Sequence, residues 1–532
     1  MLRCNWYEQT IFEAANRFRQ QVESKNIEEY RCAAIELRKE MVKLDASYPK
    51  YHFVAPEGWV GTPDVYLHYK GRYHMFYQYI PTFEDGRISN GMGVHEYFPN
   101  NHLTLCWGHA VSEDLVHWKD MPIALCPEEE YECGGCLSGQ AYITEDGTPL
   151  IFYNSTGHIY GKELTLVVAK PQDDMLNHWE KKLLRGGDET FGPDIEVDYV
   201  GELWKEGDTY YMTSGRRYQE HGAGFLMTSK NLEDWEFASI VFERGNDRTW
   251  ETPRLFRMND KYILMVGYTP RNWGEGIMYW TGDFSYETLK FTPDQDTPKF
   301  VDLGNFYSHV PLQMGGDGNM MLFGLMDCDK KTVGAVPYWS GAFTMPRDMW
   351  LQDGVICQRP IEAFDSLITE TEEYGALCCN AEGPITVKDT TDAYKLTFTR
   401  EKGRRDKNIR LSFLTGNNLN REKVKLTIEP SGTLTFEADE RRQATHLFNP
   451  LHEVTFHIYV DCSIIEIYLE EKVPGQEKPL WKAFTNMYNL TGYLDELGYP
   501  HVWHADRLNG VAFKGSEPAK NVSVSKMGCI WE

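Results

Sequence analysis

Residues 51–79, YHFVAPEGWVGTPDVYLHYKGRYHMFYQY, carry the strongest structural signal in the chain. They predict two β-strands around a turn, because Val65–Leu67 and Tyr73–Tyr77 are rich in aromatic and β-branched residues and Lys70 is followed by a glycine. Asp64 stands at the entrance of the first strand. A carboxylate in that position is either a sugar-handling group or a residue that caps the turn, and spacing alone leaves both interpretations open.

Similar strand pairs recur along the chain, each with a polar turn ahead of an aromatic and aliphatic strand. The clearest pairs lie at 68–79, 143–155, 203–215, 255–267 and 312–326. A second pattern, SEDLVHW (112–118) and SKNLEDWEF (229–237), recurs between them. Repeats of this length predict the blades of a β-propeller, and five units predict five blades. A β-sandwich is the alternative, but its hairpins follow one another about every ten residues, which is a shorter spacing.

The segments outside the repeats predict the remaining parts of the chain. Residues 5–45 carry apolar side chains at helical spacing and predict helices that pack against the following domain. A polar, acidic segment near Thr369–Glu373 is interpreted as a linker, and short alternating strands follow it. We therefore predict an all-β fold that consists of an N-terminal helical segment (1–50), a five-bladed β-propeller (51–355), a linker (356–372) and a β-sandwich (373–532).

Composition excludes several kinds of partner. The net charge of −25 argues against nucleic-acid and anionic-membrane partners, because both require a positive protein surface. The chain has no apolar run long enough to span a bilayer, and its first residues lack the apolar centre of a signal peptide. The twelve cysteines follow neither a disulfide nor a zinc spacing, so they predict reduced thiols in a cytoplasmic protein. No cofactor and no metal is predicted, and the oligomeric state stays open.

The stretch at 51–79 resembles the first motif of glycoside hydrolase family 32, the β-fructofuranosidases, whose pattern runs YHF-x-P-x-x-GWMNDPNG and then KG-x-YH-x-FYQY. Three further segments are similar to family motifs: WGHAVSEDLVHW (107–118), WETPRLF (250–256) and VDCSIIEIY (460–468). The resemblance thus covers both halves of the chain. It implies a five-bladed propeller with the active site at the axial end of its channel, a C-terminal β-sandwich, and a glycosidase with a small-molecule carbohydrate substrate.

The centre of the first motif departs from the family pattern. Thr62 stands where the family carries its nucleophilic Asp, and Asp64 takes the place of the family Asn. A threonine cannot replace a carboxylate nucleophile unless a base activates it. Because side chains alternate along a strand, Asp64 shares a face with Thr62 and is either a relocated catalytic carboxylate or a sugar-binding group. Glu251 matches the acid/base of the family, directly after Trp250.

The third acid of the family, an Asp in an Arg-Asp-Pro motif, has no direct counterpart. That motif falls on Tyr199–Gly201, where no acid stands. Glu202 and Asp198 lie two residues to either side of position 200 and share its strand face, so each is a candidate replacement. Asp194 is a weaker candidate because it falls in the preceding loop. The alternative is that these acids lie on a solvated strand edge.

The resemblance also implies an exchange of charge and a set of sugar contacts. Arg254 stands where the family carries an Asp, and Tyr199 stands where it carries an Arg. We therefore expect Arg254 to pair with Glu202 or Asp198 and to belong to the substrate-binding residues. The other matched positions imply sugar contacts, namely Trp59, Gln78, Trp107 and Ser138. The two tryptophans are equally compatible with core positions.

Two functions are compatible with these residues. The first is a glycoside hydrolase or transglycosidase that cleaves a small furanoside, most simply a fructoside, with a linkage or substrate other than sucrose. Its acid/base would be Glu251, and Asp64, Glu202 and Asp198 would supply the other carboxylates. The second is a catalytically inactive propeller that binds a carbohydrate or a protein, which the loss of the nucleophile favours. Carboxylates clustered at the end of the channel favour the enzyme, whereas acids scattered on the rim favour the binding protein.

Overall fold

The computed structural model describes most of the chain. The described residues are 24–44, 48–81, 105–132, 134–156, 164–186, 198–219, 221–245, 249–269, 276–304, 312–314, 320–326, 339–378, 385–388, 393–402, 407–415, 421–438, 441–487 and 510–531, with short pieces at 13, 17–18, 20–22, 493–494, 500–501 and 508. Among these residues, no helix combines the length and the apolar character needed to cross a membrane.

The described part of the predicted N-terminal helical segment contains the long helix α1 (Ile27–Leu44) and further helical residues at Glu13, Arg17 and Phe18. Helix was predicted over 5–45, but residues 24–26 are not helical, and the Asn26 side chain accepts a hydrogen bond from the Glu29 amide at 3.3 Å, which caps α1. The helix packs on the first blade of the propeller, as expected. Arg38 anchors it there through a buried ion pair with Asp120, whose Oδ2 lies 2.7 Å from the arginine Nε.

The propeller begins with three four-stranded antiparallel blades, and the first blade gains one further strand described below. The first blade contains β1 (Gly58–Tyr69), β2 (Arg72–Ile80), β3 (Cys106–Ser112) and β4 (Trp118–Leu125). The second contains β5 (Cys136–Ile143), β6 (Pro149–Thr156), β7 (Leu164–Pro171) and β8 (Trp179–Arg185). The third contains β9 (Asp198–Glu206), β10 (Thr209–Tyr218), β11 (His221–Ser229) and β12 (Glu236–Gly245).

Two more blades complete the ring. The fourth contains β13 (Thr249–Met258), β14 (Lys261–Thr269), β15 (Gly276–Ser285) and β16 (Lys290–Pro293), with the short β17 (Lys299–Phe300) beside β15. The fifth begins with β18 (Leu312–Met314) and β19 (Met320–Leu322). Three short strands follow, β20 (Leu325–Met326), β21 (Trp339–Ser340) and β22 (Ala342–Phe343), and then β23 (Arg347–Gln352) and β24 (Val355–Pro360) complete the blade. Each predicted strand pair is the first hairpin of one blade, so the prediction of five blades is confirmed.

The first strand of each blade lies next to the propeller axis. Strand β1 contacts β5, β5 contacts β9, β9 contacts β13, and β18 contacts β1. Strand β21 pairs in parallel with β1, so the end of the propeller sequence closes onto its beginning. The side chains of β1, β5, β9 and β13 can therefore meet although they are distant in sequence.

The C-terminal part is a sandwich of two six-stranded antiparallel sheets, as predicted. Its strands are β25 (Ile368–Leu377), β26 (Ile385–Lys388), β27 (Ala393–Arg400), β28 (Ile409–Thr415), β29 (Arg421–Ile428), β30 (Thr433–Ala438), β31 (Arg441–His446), β32 (Glu453–Asp461), β33 (Ile464–Lys472), β34 (Leu480–Met487), a separate hairpin of β35 (Tyr493–Leu494) and β36 (Pro500–His501), and β37 (Gly510–Phe513) and β38 (Ala519–Met527).

The segment predicted as a linker (356–372) is divided differently by these strands. Strand β24 runs to Pro360 as the outer strand of the fifth blade, and β25 begins the sandwich at Ile368. Only a short connection with a 3-10 helix, Glu362–Leu367, lies between them. The acidic run near Thr369–Glu373 belongs to the edge strand β25, where exposed charged side chains are common because they oppose pairing with other chains.

A buried network of charged residues joins the propeller to the sandwich. Asp461 accepts hydrogen bonds from the amides of Lys50, Tyr51 and His52 at 2.8, 2.9 and 2.9 Å. His52 also binds Asp461 through Nδ1 at 2.8 Å and Glu466 through Nε2 at 2.9 Å. The first and last of the family-like segments thus contact each other directly at the domain interface.

Candidate active site

Strand β1 carries Asp64 into the interior of the propeller. Asp64 is fully buried and Thr62 nearly so, and the Thr62 hydroxyl donates a hydrogen bond to Asp64 Oδ1 at 3.0 Å. The two side chains therefore lie on one side of the strand, as predicted. The pairing of β1 with β2 shifts on both sides of Pro63, so a local bulge sets the direction of this pair.

Strands β2 and β5 supply amide and hydroxyl groups beside Asp64. Gln78 donates a hydrogen bond to the Ser138 hydroxyl at 3.1 Å, and both side chains are buried. The Gln78 side chain and the Gly139 backbone also lie close enough to Asp64 to favour its ionised form. Gln140, two residues after Ser138, reaches Glu202 Oε1 at 3.5 Å. The second blade thus links Asp64 to the acid on the third blade.

Strands β9 and β13 approach each other unusually closely. A Cβ atom on Gly201 would lie 2.1 Å from the Pro253 carbonyl oxygen, so only glycine fits there. The Thr213 hydroxyl donates a hydrogen bond to that carbonyl at 2.5 Å and accepts one from the Glu202 amide at 2.7 Å. Thr252 has a φ of 42°, a conformation that non-glycine residues rarely adopt. Arg254 follows Pro253 directly, and its side chain lies beside Glu202.

Three ionisable side chains lie close together at this point, and we call Asp64, Glu202 and Arg254 the axial cluster. Arg254 is buried, donates a hydrogen bond from Nη1 to the Gly201 carbonyl at 3.0 Å, and lies 3.8 Å from Glu202 Oε2 through the same nitrogen. The pairing expected between Arg254 and Glu202 is therefore present, although 3.8 Å is longer than a hydrogen bond.

Burial controls the protonation of the axial cluster. It raises the pKa of Asp64 to about 8, against the opposing effects of the Thr62 hydrogen bond and of Arg254. It raises the pKa of Glu202 to about 7, against the opposing effects of Arg254 and Gln140. It also lowers the pKa of the Arg254 guanidinium by more than Glu202 and Asp64 raise it. At neutral pH Asp64 holds a proton, Glu202 titrates, and Arg254 remains charged.

The cluster is incompletely hydrogen-bonded. Within the described part of the chain, four of its buried polar atoms have no hydrogen-bond partner: Asp64 Oδ2, Glu202 Oε2, Arg254 Nε and Arg254 Nη2. Buried polar atoms are nearly always paired in folded proteins, and exceptions concentrate at sites that bind ligands or perform chemistry. The convergence of unpaired donors and acceptors from three blades defines the candidate active site.

Two other predicted catalytic residues, Glu251 and Asp198, lie on the same two inner strands. Glu251 is half-buried in β13, opposite Gly267 of β14 and directly before the strained Thr252. Asp198 is the first residue of β9 and pairs with Gly215, but its side chain is outside the described part of the structure. Asp194 lies outside the described residues altogether.

The predicted sugar contacts separate into two groups. Gln78 and Ser138 lie beside Asp64, as described above. The ring of Trp59 covers Gly61, where a Cβ atom would lie 2.3 Å from it, and Trp59 is half-buried. Trp107 is fully buried and donates its indole hydrogen bond to the Leu137 carbonyl at 2.9 Å, which is the environment of a core aromatic residue.

Sequence reasoning missed Gln140, which hydrogen-bonds to Glu202. The available signal was its position two residues after Ser138, since alternate residues of a strand face the same side. The close contact of Gly201 with Pro253 had no sequence signal of its own.

Most glycosidases use a pair of Asp or Glu side chains, and the inner strands of this propeller carry Asp64, Glu202 and Glu251. Comparisons with known proteins agree with this class of enzyme. The family described as "Glycosyl hydrolases family 32 N-terminal domain" matches residues 52–360, which is more than half of the chain. The chain belongs to family 32 of the glycosyl hydrolases. The family and the class of enzyme predicted from the sequence, a glycosidase of the β-fructofuranosidase type, are confirmed.

Individual relatives cover nearly the whole chain. A sucrose-6-phosphate hydrolase of Zymomonas mobilis is 26% identical over 491 residues, which span 84% of this chain and 89% of the relative. Among solved structures, a GH32 beta-fructofuranosidase of Bombyx mori has a TM-score of 0.71 at 20% identity and covers 94% of this chain and 99% of its own. A sucrose-6-phosphate hydrolase from Lactobacillus gasseri has a TM-score of 0.70 at 20% identity, with 96% and 99% covered. The predicted fold is thereby confirmed.

Proposed function

We propose that the protein hydrolyses, or transfers the glycosyl group of, a small furanoside, most simply a β-fructoside. The observation that carries the proposal is the convergence of Asp64, Glu202 and Arg254 on the inner strands of the propeller, with unpaired polar atoms on all three. The names of the relatives support a fructoside, since they include sucrose-6-phosphate hydrolases and a raffinose invertase. A Bombyx mori homologue in complex with sucrose supports a small carbohydrate as the ligand.

The environments of the acids favour different roles for them. Hydrolysis of a glycoside needs one carboxyl group that donates a proton and one that acts as a carboxylate. Glu251, which matches the acid/base of the family, is the proposed proton donor. Glu202 titrates close to neutrality and is therefore the better candidate for the carboxylate, whereas Asp64 is protonated and suited to donating a hydrogen bond to a sugar oxygen. Asp198 stays a candidate for either role.

Two features argue for a substrate other than sucrose. Thr62 occupies the position of the family nucleophile, and its hydroxyl is already bonded to Asp64. Arg254 also places a positive charge where the family carries an acid. A propeller that only binds a carbohydrate is the second candidate function, and the absence of a carboxylate at position 62 is the observation that favours it.

We also propose that the protein is cytoplasmic. The support is that every cysteine in the described ranges is a free thiol. Cell fractionation with an antibody to the native protein tests this proposal, and recovery in a secreted or periplasmic fraction would contradict it.

Incubation with a panel of fructosides and other furanosides, with products identified by NMR, tests the proposed activity. The expected result is release of a free sugar or a transfer product from at least one furanoside other than sucrose. Binding of furanosides without any turnover would favour the second candidate function. The anomeric configuration of the first product formed also decides between retention and inversion.

A further inference from the structure

The guanidinium of Arg254 presents one unused edge. Nη1 is occupied by the Gly201 carbonyl at 3.0 Å and by Glu202 at 3.8 Å. Nε and Nη2 form the opposite edge and have no partner among the described residues, although Arg254 is only 1% exposed. These two nitrogens donate parallel hydrogen bonds, and their geometry matches two oxygen atoms of one carboxylate or phosphate.

The described groups around this edge do not supply enough negative charge for it. Among the residues whose side chains the structure describes, Asp64 and Glu202 are the acids that act on Arg254. Asp64 is largely neutral at neutral pH because burial raises its pKa to about 8, and Glu202 is only partly ionised because burial raises its pKa to about 7. At neutral pH the three side chains of the axial cluster therefore carry a net positive charge. A buried positive charge without a full counter-charge is unfavourable, so an anionic ligand would gain affinity there.

We propose that the site takes a furanoside whose glycone carries an oxyanion, a carboxylate or a phosphate, bound on the Nε and Nη2 edge of Arg254. This inference rests on the proposed function and names its class of substrate. The free Oδ2 of Asp64 lies in the same cluster and, when protonated, donates a further hydrogen bond to the anion or to a neighbouring hydroxyl. A neutral sugar forms weaker hydrogen bonds with the same two nitrogens, because a hydroxyl oxygen carries no charge to offset that of the guanidinium.

Three sugars that share the fructofuranose ring and differ in one group test the inference. D-fructose is neutral, D-fructuronate carries a carboxylate, and D-fructose 6-phosphate carries a phosphate. We expect calorimetry on the full chain at neutral pH to show that one of the two anionic sugars binds at least about 10-fold more tightly than fructose, the size of one charge-assisted hydrogen bond. Preference for fructuronate identifies a sugar acid as the substrate, and preference for fructose 6-phosphate identifies a sugar phosphate.

Variants at position 254 assign the preference to the guanidinium. Arg254→Lys keeps the charge and loses the two-pronged edge, so the preference should fall to about 3-fold or less. Arg254→Gln should remove it, because the neutral side chain offers an anion no charge-assisted hydrogen bond. Lys205→Gln is the matched control, since it removes a positive charge from the outer end of β9, where Lys205 binds Glu145. It should leave the preference unchanged.

The possible failures are distinguishable. Equal affinity of the wild type for all three sugars, together with cleavage of neutral furanosides, would overturn the anionic glycone and leave the proposed function standing. An anion preference that survives in Arg254→Gln would place the anion elsewhere and equally overturn the inference. If neither sugars nor furanosides bind or react, the proposed function fails and the inference fails with it. Arg254→Lys keeps the test decisive if Arg254→Gln does not fold.

Discussion

Arg347 at the domain interface and Arg254 in the axial cluster are both fully buried and both lie beside two acids, but their surroundings differ. Arg347 donates hydrogen bonds to Asp302 at 2.8 Å and to Glu466 at 2.6 Å. Arg254 reaches Glu202 only at 3.8 Å. The same residue types are thus closely bonded at the interface and loosely arranged at the axis.

The pKa values follow this difference in bonding. Burial alone would raise the pKa of Glu466, but Arg347 and His52 lower it to about 2. Burial alone would lower the pKa of His52, but hydrogen bonds to Asp461 and Glu466 raise it to about 9. In the axial cluster burial prevails, and the pKa of Asp64 rises to about 8. A buried arginine with short bonds to ionised acids is a structural element, whereas one beside acids that keep their protons is available for a ligand.

Loss of the interface arginine should have the largest effect. Arg347→Met leaves Asp302 buried without its cation and leaves Glu466 with His52 as its remaining cationic partner, so the free energy of unfolding should fall by about 3–5 kcal/mol. Urea denaturation at pH 6 measures it. Arg359→Met is the control, because Arg359 lies on the neighbouring strand β24 and makes a partly exposed pair with Glu362 at 3.0 Å. The control should change stability by less than about 1 kcal/mol. A similar small change for Arg347→Met would remove the distinction between the two clusters.

Loss of the proposed proton donor should affect activity and leave stability nearly unchanged. Glu251→Gln keeps the shape of the side chain, so turnover of a furanoside with a poor leaving group should fall by roughly 10²–10⁴-fold. Stability should change by less than about 1 kcal/mol, as is usual for a site that is not fully buried. Glu206→Gln, at the exposed end of β9, is the matched control and should retain full turnover. An unaltered rate in Glu251→Gln would exclude Glu251 as the general acid.

The two clusters should also respond to pH in opposite directions. The folded protein holds a proton on Asp64 that the unfolded chain releases above about pH 4, so this contribution to stability is present at low pH and is lost as the pH rises towards 8. Glu466 contributes stability above about pH 4.5 that is lost as the pH falls towards 2. Relative to wild type, Asp64→Asn should therefore gain stability between pH 4 and pH 8. Parallel curves for the two proteins would show that Asp64 is ionised in the folded state.

The same Asp64 variant decides the catalytic role of that residue. Asparagine reproduces the shape of a protonated carboxyl group and keeps a hydrogen-bond donor, so turnover at neutral pH should stay within about 10-fold of wild type. A loss of roughly 10²–10⁴-fold would instead identify Asp64 as the attacking carboxylate, as one of the two sequence interpretations has it.

The fold was predictable from sequence because every blade begins with a hairpin whose strands are rich in apolar residues and enclose a polar turn, and these patterns are local. The SEDLVHW pattern is also local, because it forms one loop in which Ser112 pairs with Trp118. Within that loop the Ser112 hydroxyl accepts a hydrogen bond from the Leu115 amide at 2.8 Å. The predicted position of the linker was wrong because the charged edge strand β25 has the composition of a linker.

The site was only partly predictable, because its properties depend on contacts between blades. The face shared by Thr62 and Asp64 follows from strand alternation. The meeting of Arg254 with Glu202 was inferred from exchanged charges, but its geometry depends on the glycine at 201 and on the positive φ of Thr252. Nothing in the sequence around Asp64 showed that it would be buried deeply enough to keep its proton.

Restoring the family residue at position 62 should have the smallest effect of all. In Thr62→Asp the new carboxyl group would stand where the Thr62 hydroxyl now lies, 3.0 Å from Asp64 Oδ1. Two carboxyl groups that close cannot both ionise, so the pair would share a proton rather than supply a free nucleophile. We therefore expect no sucrose hydrolysis above the wild-type level, measured as release of glucose. Thr62→Asn, which has the same size without the charge, should give the same result. Sucrose cleavage by Thr62→Asp and not by Thr62→Asn would show that the axial cluster is an ordinary fructosidase site lacking one carboxylate, and the contrast with Arg347 would then lose its functional meaning.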